Sequence, residues 1–470
     1  MRKLLLFLFL QITFNLIGQE TKFTKQELKV DLDSLVSYIE QVHLNPYTCI
    51  SKKQFLREIE QCKRNLSDST SIIKYFTLIS PTVSNLNDGH TAVAYPYTEL
   101  RKLNPFCFPF NPKISNEGKL LSTDYQTELP LNAEIVSING IPSKQIVDKL
   151  IVSISGESKS FRLSSLGISF IERFGAFYGF QSSYIIRYKS GKDKFTKTIS
   201  GIKLTDLIAY KKKRTSDKNN NSSKQYDYKT LNNGKTGIID FKHFEDLDLF
   251  THFLDTVFTQ IKQDKTENLI IDLRNNDGGY SALGDELFQY ISRVPFAQFD
   301  KTITKYSKIR YQFYKDIRNT GFMKNWTDSA YNCFVAPKFG IIDIVHDKLE
   351  ALRENPLRFN GKVYTLTSSK TFSSASDFAC CFQYFNMGKV IGEETGGYVV
   401  SFGDAISTTL PITELPLVIS HRKFYRGGAT DKEKHGVLPD YKVDADNALD
   451  FGLKLIDKAP AGADPRQQRQ

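Results

Sequence analysis

One segment constrains the fold of this chain more than any other. Asn268-Leu-Ile-Ile-Asp-Leu-Arg274 is a short, mostly apolar run, and it is followed at once by the polar turn Asn275-Asn-Asp-Gly-Gly279. A run of this length ending in glycines reads as a buried strand. Its neighbours extend the pattern. Thr236-Gly-Ile-Ile-Asp-Phe241 is a strand, Asp248 to Lys262 is amphipathic at helical spacing, and Val363 to Ser368 is a strand. Ser373 to Phe385 then reads as a helix and Lys389-Val-Ile-Gly392 as a further strand. Strand, helix and strand in alternation predict an α/β layered core over 236–445. Between 295 and 358 this pattern is interrupted by an aromatic and charged insertion. No internal repeat is present.

A chain of 470 residues is too long for one ordinary domain. Upstream, 25–86 reads as helical: Leu28, Leu32, Leu35, Val36 and Ile39 recur at helical spacing, Ser51 suits a cap for a second helix, and Pro81 marks a kink or break in a third. Residues 104–200 look β-rich. Glu134 to Pro142 is two short strands around Asn139-Gly140, with Ser143 capping Lys144 to Ile151, a pattern that resembles part of a PDZ domain. The expected organisation is a multidomain α+β protein. It has a leader at 1–18, a helical region at 19–92, a PDZ-like domain at 100–205 and a linker at 206–235. The α/β core at 236–445 and a tail at 446–470 complete it. The linker rests on Lys211-Lys-Lys-Arg214 and the polar stretch to Lys224, read as a solvated loop rather than a binding patch.

The N-terminus carries Arg2 and Lys3, an apolar run from Leu4 to Leu10, and Gly18-Gln19. This is the form of a secretory signal cleaved after Gly18, and it predicts an exported, periplasmic or secreted product. The alternative is an uncleaved anchor, against which Gln11 and Asn15 interrupt the run. Loss of Arg2 and Lys3 with the leader lowers the net charge from +11 to +9. That charge is not focused, so no nucleic-acid partner is expected. Hydrophobic residues at 40% and charged residues at 24% exclude disorder over most of the chain. The six cysteines form neither a CxxC pair nor a zinc framework, and no HExxH, Walker A or EF-hand motif occurs. No metal or other cofactor is therefore expected. Cys49 and Cys62 are the pair within bridging reach in sequence.

Three segments carry chemistry. In Thr371-Phe-Ser-Ser374-Ala-Ser-Asp377, a serine between a strand end and a helix start stands near backbone N–H groups and the positive helix terminus, as an acyl-transfer nucleophile requires. Ser374-x-x-Asp377 fits a helix-capping pattern equally. Gly278 and Gly279 allow a backbone N–H close approach to an oxyanion, or mark an ordinary turn. His90, in Asp88-Gly-His90, is a general base near neutrality or a turn histidine with a structural hydrogen bond.

Together these segments resemble the C-terminal-processing (tail-specific) serine peptidase family. The Asn85–Thr91 turn, the Leu269–Gly279 segment, the Ser373–Asp377 helix start, Ile391-Gly-Glu-Glu-Thr-Gly-Gly397 and Gly436-Val-Leu-Pro-Asp440 occur in the family's order. The resemblance implies a helical N-terminal part, a PDZ-like domain and a catalytic core of the ClpP/crotonase type. It implies Ser374 as nucleophile and Ala375, with Gly278 or Gly279, as oxyanion donors. Family members with a Ser–Lys dyad place a lysine beyond the catalytic helix, yet here none lies between Lys389 and Lys423. The chain is closer to the tricorn-core branch, which implies His90 as base and Glu433, with Asp431 as rival, as supporting acid. The expected activity is hydrolysis of peptide bonds in unfolded or C-terminal segments. The same fold in interphotoreceptor retinoid-binding protein implies the alternative, a non-catalytic exported binder of apolar ligands or peptide tails.

Overall fold

The structure, a computed structural model, describes residues 20–123, 127–217, 224–320, 323, 324 and 326–458; the leader lies outside these. Among the described residues no helix is long and apolar enough to cross a membrane.

The core sheet runs Tyr226–Leu231, Thr236–Phe241, Asn268–Asp272, Lys362–Thr367, Lys389–Gly392, Tyr441–Lys442. The first pair is antiparallel and all later pairs are parallel. Parallel strands need crossover helices, which cover both faces and make the strands apolar throughout. The helices Leu247–Asp264, Ala282–Ile291 and Ser374–Tyr384 pack on one face through Phe250, Leu254, Phe288, Phe378 and Phe382. Ala448–Lys458 covers the other face, against Ile238, Ile270, Leu366 and Ile391.

Two of the expected boundaries change. Residues 206–235 are not a linker along their length: Leu204–Asp217 is a helix and Tyr226–Leu231 is the edge strand of the core sheet. Tyr226 is a buried anchor that the polar composition of the stretch before it obscures. The tail likewise contains the Ala448–Lys458 helix, whose apolar face completes the core. Pro81 stays inside a helix that continues to Ser84. Ser143 is the first residue of its helix rather than the cap, and its hydroxyl donates to the Ile135 carbonyl at 2.6 Å.

A second sheet orders Ile342–His346, Lys301–Lys305, Pro416–Tyr425 and Val400–Thr409, so both strands of the 295–358 insertion belong to it. Ala92–Val93 adds to the Pro416–Tyr425 strand. The three helices Lys25–Val42, Lys52–Arg64 and Ile72–Ser84 pack beside it in one cluster with Ile406, Leu417 and Ile419. A third sheet, within 113–200, carries the helices Ser143–Ile151, Lys159–Ile168 and Phe170–Tyr178 on its own apolar core. All six cysteines are free, Cys49 and Cys62 included.

Candidate active site

The site forms where the Asn268–Asp272 and Lys362–Thr367 strands end. The turn after the first strand is braced by Asn276, which is fully buried. Its side chain donates to the Phe241 carbonyl at 2.8 Å and accepts from the Gly278 N–H at 2.9 Å. Its backbone carbonyl accepts from the Phe372 N–H at 3.1 Å, joining this turn to the one before the Ser374–Tyr384 helix. Gly278 has φ +100°, and a Cβ there would lie 2.7 Å from the Ser373 Cβ and 2.8 Å from the Ser374 N. Glycine is needed on both counts.

The two serines at the helix start differ sharply. Ser374 is 5% exposed, and its hydroxyl donates to the Gly279 carbonyl at 2.6 Å. It lies in the first turn of the helix and ties that helix to the Gly-Gly turn. Ser373 has φ 50° and ψ −130°, a conformation that sterics reserve mainly for glycine. It is half-buried, and its hydroxyl makes no hydrogen bond among the described residues. Strain concentrated on one serine between a strand and a helix is how a nucleophile is lifted out of the backbone's own hydrogen bonding. Of the two hydroxyls, that of Ser374, which the sequence reading named, is engaged, and that of Ser373 is free among the described residues.

Two of the N–H groups expected to face an oxyanion are already engaged. The Ala375 N–H is engaged by the Phe372 carbonyl at 3.1 Å and the Gly278 N–H by Asn276. Phe244 donates to the Gly278 carbonyl and accepts from the Tyr280 N–H, which leaves the peptide groups of Gly279 directed away from Phe244. The Gly279 and Ser374 N–H groups have no partner among the described residues; Ser374 N directly follows Ser373 and packs against Gly278, and the Gly279 carbonyl is tied to Ser374.

His90 arrives from the N-terminal region. The Asp88 carboxylate organises its turn, accepting from the His90 N–H at 2.9 Å, Thr91 Oγ1 at 2.5 Å and Ser420 Oγ at 2.6 Å. The same carboxylate meets His43 Nε2 at 3.1 Å. Burial pushes the Asp88 carboxyl up, but the hydrogen bond and charge of His43, with help from His90 and Ser420, hold it well below the usual range. Thr91 and the Ala92–Val93 pairing fix this turn to the second sheet.

The His90 ring stacks on Phe372 at 4.6 Å, and Phe372 stacks on Phe161 at 4.2 Å. One stack thus joins the N-terminal turn, the turn before the Ser374–Tyr384 helix and the Lys159–Ile168 helix. His90 Nδ1 is buried without a hydrogen bond, and no hydrogen bond joins His90 to Ser373 or Ser374. Burial lowers the His90 pKa and Asp88 opposes this, so the ring is neutral, as a base must be.

Neither expected supporting acid reaches the pair. Glu433 accepts from the Thr430 N–H at 2.6 Å and Oγ1 at 2.7 Å, closing its own turn. Asp431 pairs with Lys423 and Tyr425. Asp377, read in the sequence only as part of a capping pattern, lies in the first turn of the helix and forms a buried ion pair with Arg426, which the sequence did not single out and which also donates to the Tyr398 carbonyl at 2.8 Å. Burial raises the Asp377 carboxyl to about 6 despite Arg426. A separate cleft of about 930 Å³, lined by Lys113, Arg274, Lys370 and Glu393 among others, runs between the third sheet and the core; Ser373 and His90 do not line it.

The family model of peptidase family S41 matches residues 235–443. The fold is similar to the crystal structure of mature CPAF, at 13% identity and a TM-score of 0.61, covering 92% of this chain and 96% of that one. It is similar to mature CPAF complexed with lactacystin at 14% identity and a TM-score of 0.60, covering 92% and 98%. At such identities the likeness concerns the fold. The matched segment holds the parallel strands from Thr236–Phe241 to Tyr441–Lys442 and both serines of the helix start, so this part of the chain matches a peptidase family S41 domain.

Proposed function

We propose that this chain is an exported serine endopeptidase of the C-terminal-processing type, acting on unfolded or C-terminal segments, with Ser373 as nucleophile and His90 as base. The conformation of Ser373 against Gly278 carries the assignment of the nucleophile. His90 takes the Ser373 hydroxyl proton as Oγ bonds to the substrate carbonyl carbon. The carbonyl oxygen becomes an oxyanion between the Ser374 and Gly279 N–H groups. His90 then passes the proton to the leaving amine, and water releases the acyl group by the same route. The Ser–His bond forms when substrate closes the site, since catalytic hydrogen bonds are often long before binding. The stretch from Lys389 to Lys423 contains no lysine between its ends, which favours the tricorn-like branch over a Ser–Lys dyad. The third sheet and its helices serve as the PDZ-like, tail-holding part.

The test is labelling by a serine-directed fluorophosphonate, with mapping of the labelled residue. Ser373→Ala should abolish labelling and Ser374→Ala should retain it. His90→Ala should lower turnover by about 10²–10⁴-fold with the fold intact. A wild type that takes no label but binds apolar ligands would establish the binder instead.

A further inference from the structure

The reading of His90 as base leaves its Nδ1 without a partner, and a triad needs an acceptor there. Asp88 cannot turn to serve it, because its two oxygens already hold His43, the His90 N–H, Thr91 and Ser420. One other carboxylate is in range. Single donor-type atoms of Asp88, His90 and Glu157 lie within 4.8 Å of one another. Both Glu157 carboxylate oxygens are buried without a hydrogen bond, as is His90 Nδ1. The backbone around Glu157 is held in place nonetheless. Its carbonyl accepts from Asn87 Nδ2 and from Tyr398 Oη, each at 3.3 Å, and the Gly156 carbonyl accepts from Arg162 Nε at 2.7 Å. The backbone of Glu157 is thus held by groups from three parts of the chain, and its buried carboxylate lies within 4.8 Å of a His90 ring nitrogen.

We infer that Glu157 is the positioning acid of the site: it accepts the His90 Nδ1 proton, fixes the tautomer and stabilises the imidazolium formed when His90 takes the Ser373 proton. This rests on the peptidase reading. It makes the site a joint product of the core, the N-terminal turn and the third-sheet region, since Glu157 immediately precedes the Lys159–Ile168 helix. The saturation of Asp88 argues against the alternative use of the three side chains as a metal site. The groups that set the charge around Glu157 and His90 are Asp88 with His43 behind it, Arg162 beside Glu157, and Arg426 and Asp404 from the second-sheet side. Burial and the Asp88 charge raise the Glu157 carboxyl to about 8, so the pair holds a proton on Glu157 through neutrality and loses it above.

The experiment compares wild type with Glu157→Gln and Glu157→Ala. It reads kcat, KM, the pH profile of kcat/KM and the fluorophosphonate labelling rate. Both variants should keep the fold and KM while kcat falls by at least about 10-fold, and by up to ~10⁴-fold as for other base-orienting carboxylates. The acid limb of the profile should move to lower pH, because the proton that the Glu157 carboxyl holds up to about pH 8 is gone and the buried His90 alone titrates below its ordinary value. Wild-type kcat with an unmoved acid limb in Glu157→Gln would overturn the inference. So would stoichiometric Zn²⁺ binding by calorimetry that Glu157→Gln abolishes at unchanged metal-free kcat. A wild type that takes no fluorophosphonate removes the peptidase reading and this inference together, whereas a labelled wild type beside a fully active Glu157→Gln removes the inference alone.

Discussion

Ser373→Gly separates the two serines by opposite signs. At φ 50° and ψ −130° a residue with a Cβ carries strain of about 1–3 kcal/mol. Glycine relieves it, and its greater freedom in the unfolded chain takes back roughly 0.5–1 kcal/mol. No capping bond is lost, because the Ser373 side chain makes none. Ser373→Gly should therefore be more stable than wild type by about 1 kcal/mol, and turnover should fall by about 10⁴–10⁶-fold. Ser374→Ala should do the reverse. Removing its hydroxyl loses the bond to the Gly279 carbonyl, which water can reach because Gly279 is exposed, at a cost of about 0.5–1.5 kcal/mol. Its N–H remains in place for the oxyanion, so labelling persists. Thermal unfolding with fluorophosphonate labelling on both variants reads the four values. Loss of labelling in a folded Ser374→Ala, with labelling retained in Ser373→Gly, would refute the assignment.

Gly278→Ala should abolish activity and destabilise the protein, since the added methyl meets backbone at Ser374 N and the Phe372 carbonyl as well as the Ser373 Cβ; wild-type kcat would contradict the close approach. Glu433→Gln should leave kcat within about 2-fold of wild type, because its carboxylate only closes the Thr430 turn; a large loss in a steady-state assay would restore it as the supporting acid. Asp285 is raised to about 7 by burial, against a hydrogen bond from Gln298 that lowers it. Its folded pKa exceeds the unfolded value of ~3.9, so its stabilising effect is complete below about pH 4 and is lost as pH rises through 7. The melting temperature of Asp285→Asn should gain on wild type between pH 4 and pH 8, and parallel curves would disprove this.

The strands of the core were legible in the chain because their causes are local. Asn268–Asp272, Lys362–Thr367 and Lys389–Gly392 are apolar runs bounded by turn residues, and a run of that kind has nowhere to go but the interior of a sheet. The glycine pair and the serine-rich helix start were legible for the same reason. Tertiary structure decided the rest. The difference between adjacent hydroxyls depends on Ser373 packing against Gly278 while Ser374 bonds to the Gly279 carbonyl, contacts between segments almost a hundred residues apart. Glu433 suits a motif but closes its own turn, because a hydroxyl three residues away is a nearer partner than any distant imidazole. Tyr226–Leu231 and Ala448–Lys458 read as linker and tail because half of each faces solvent, and only the sheet and the apolar face they meet show them to be core elements. Glu157 carries no sequence signal at all. Its meaning comes from Asn87, Tyr398 and Arg162 holding its backbone beside His90, and packing between regions is what a linear pattern does not encode.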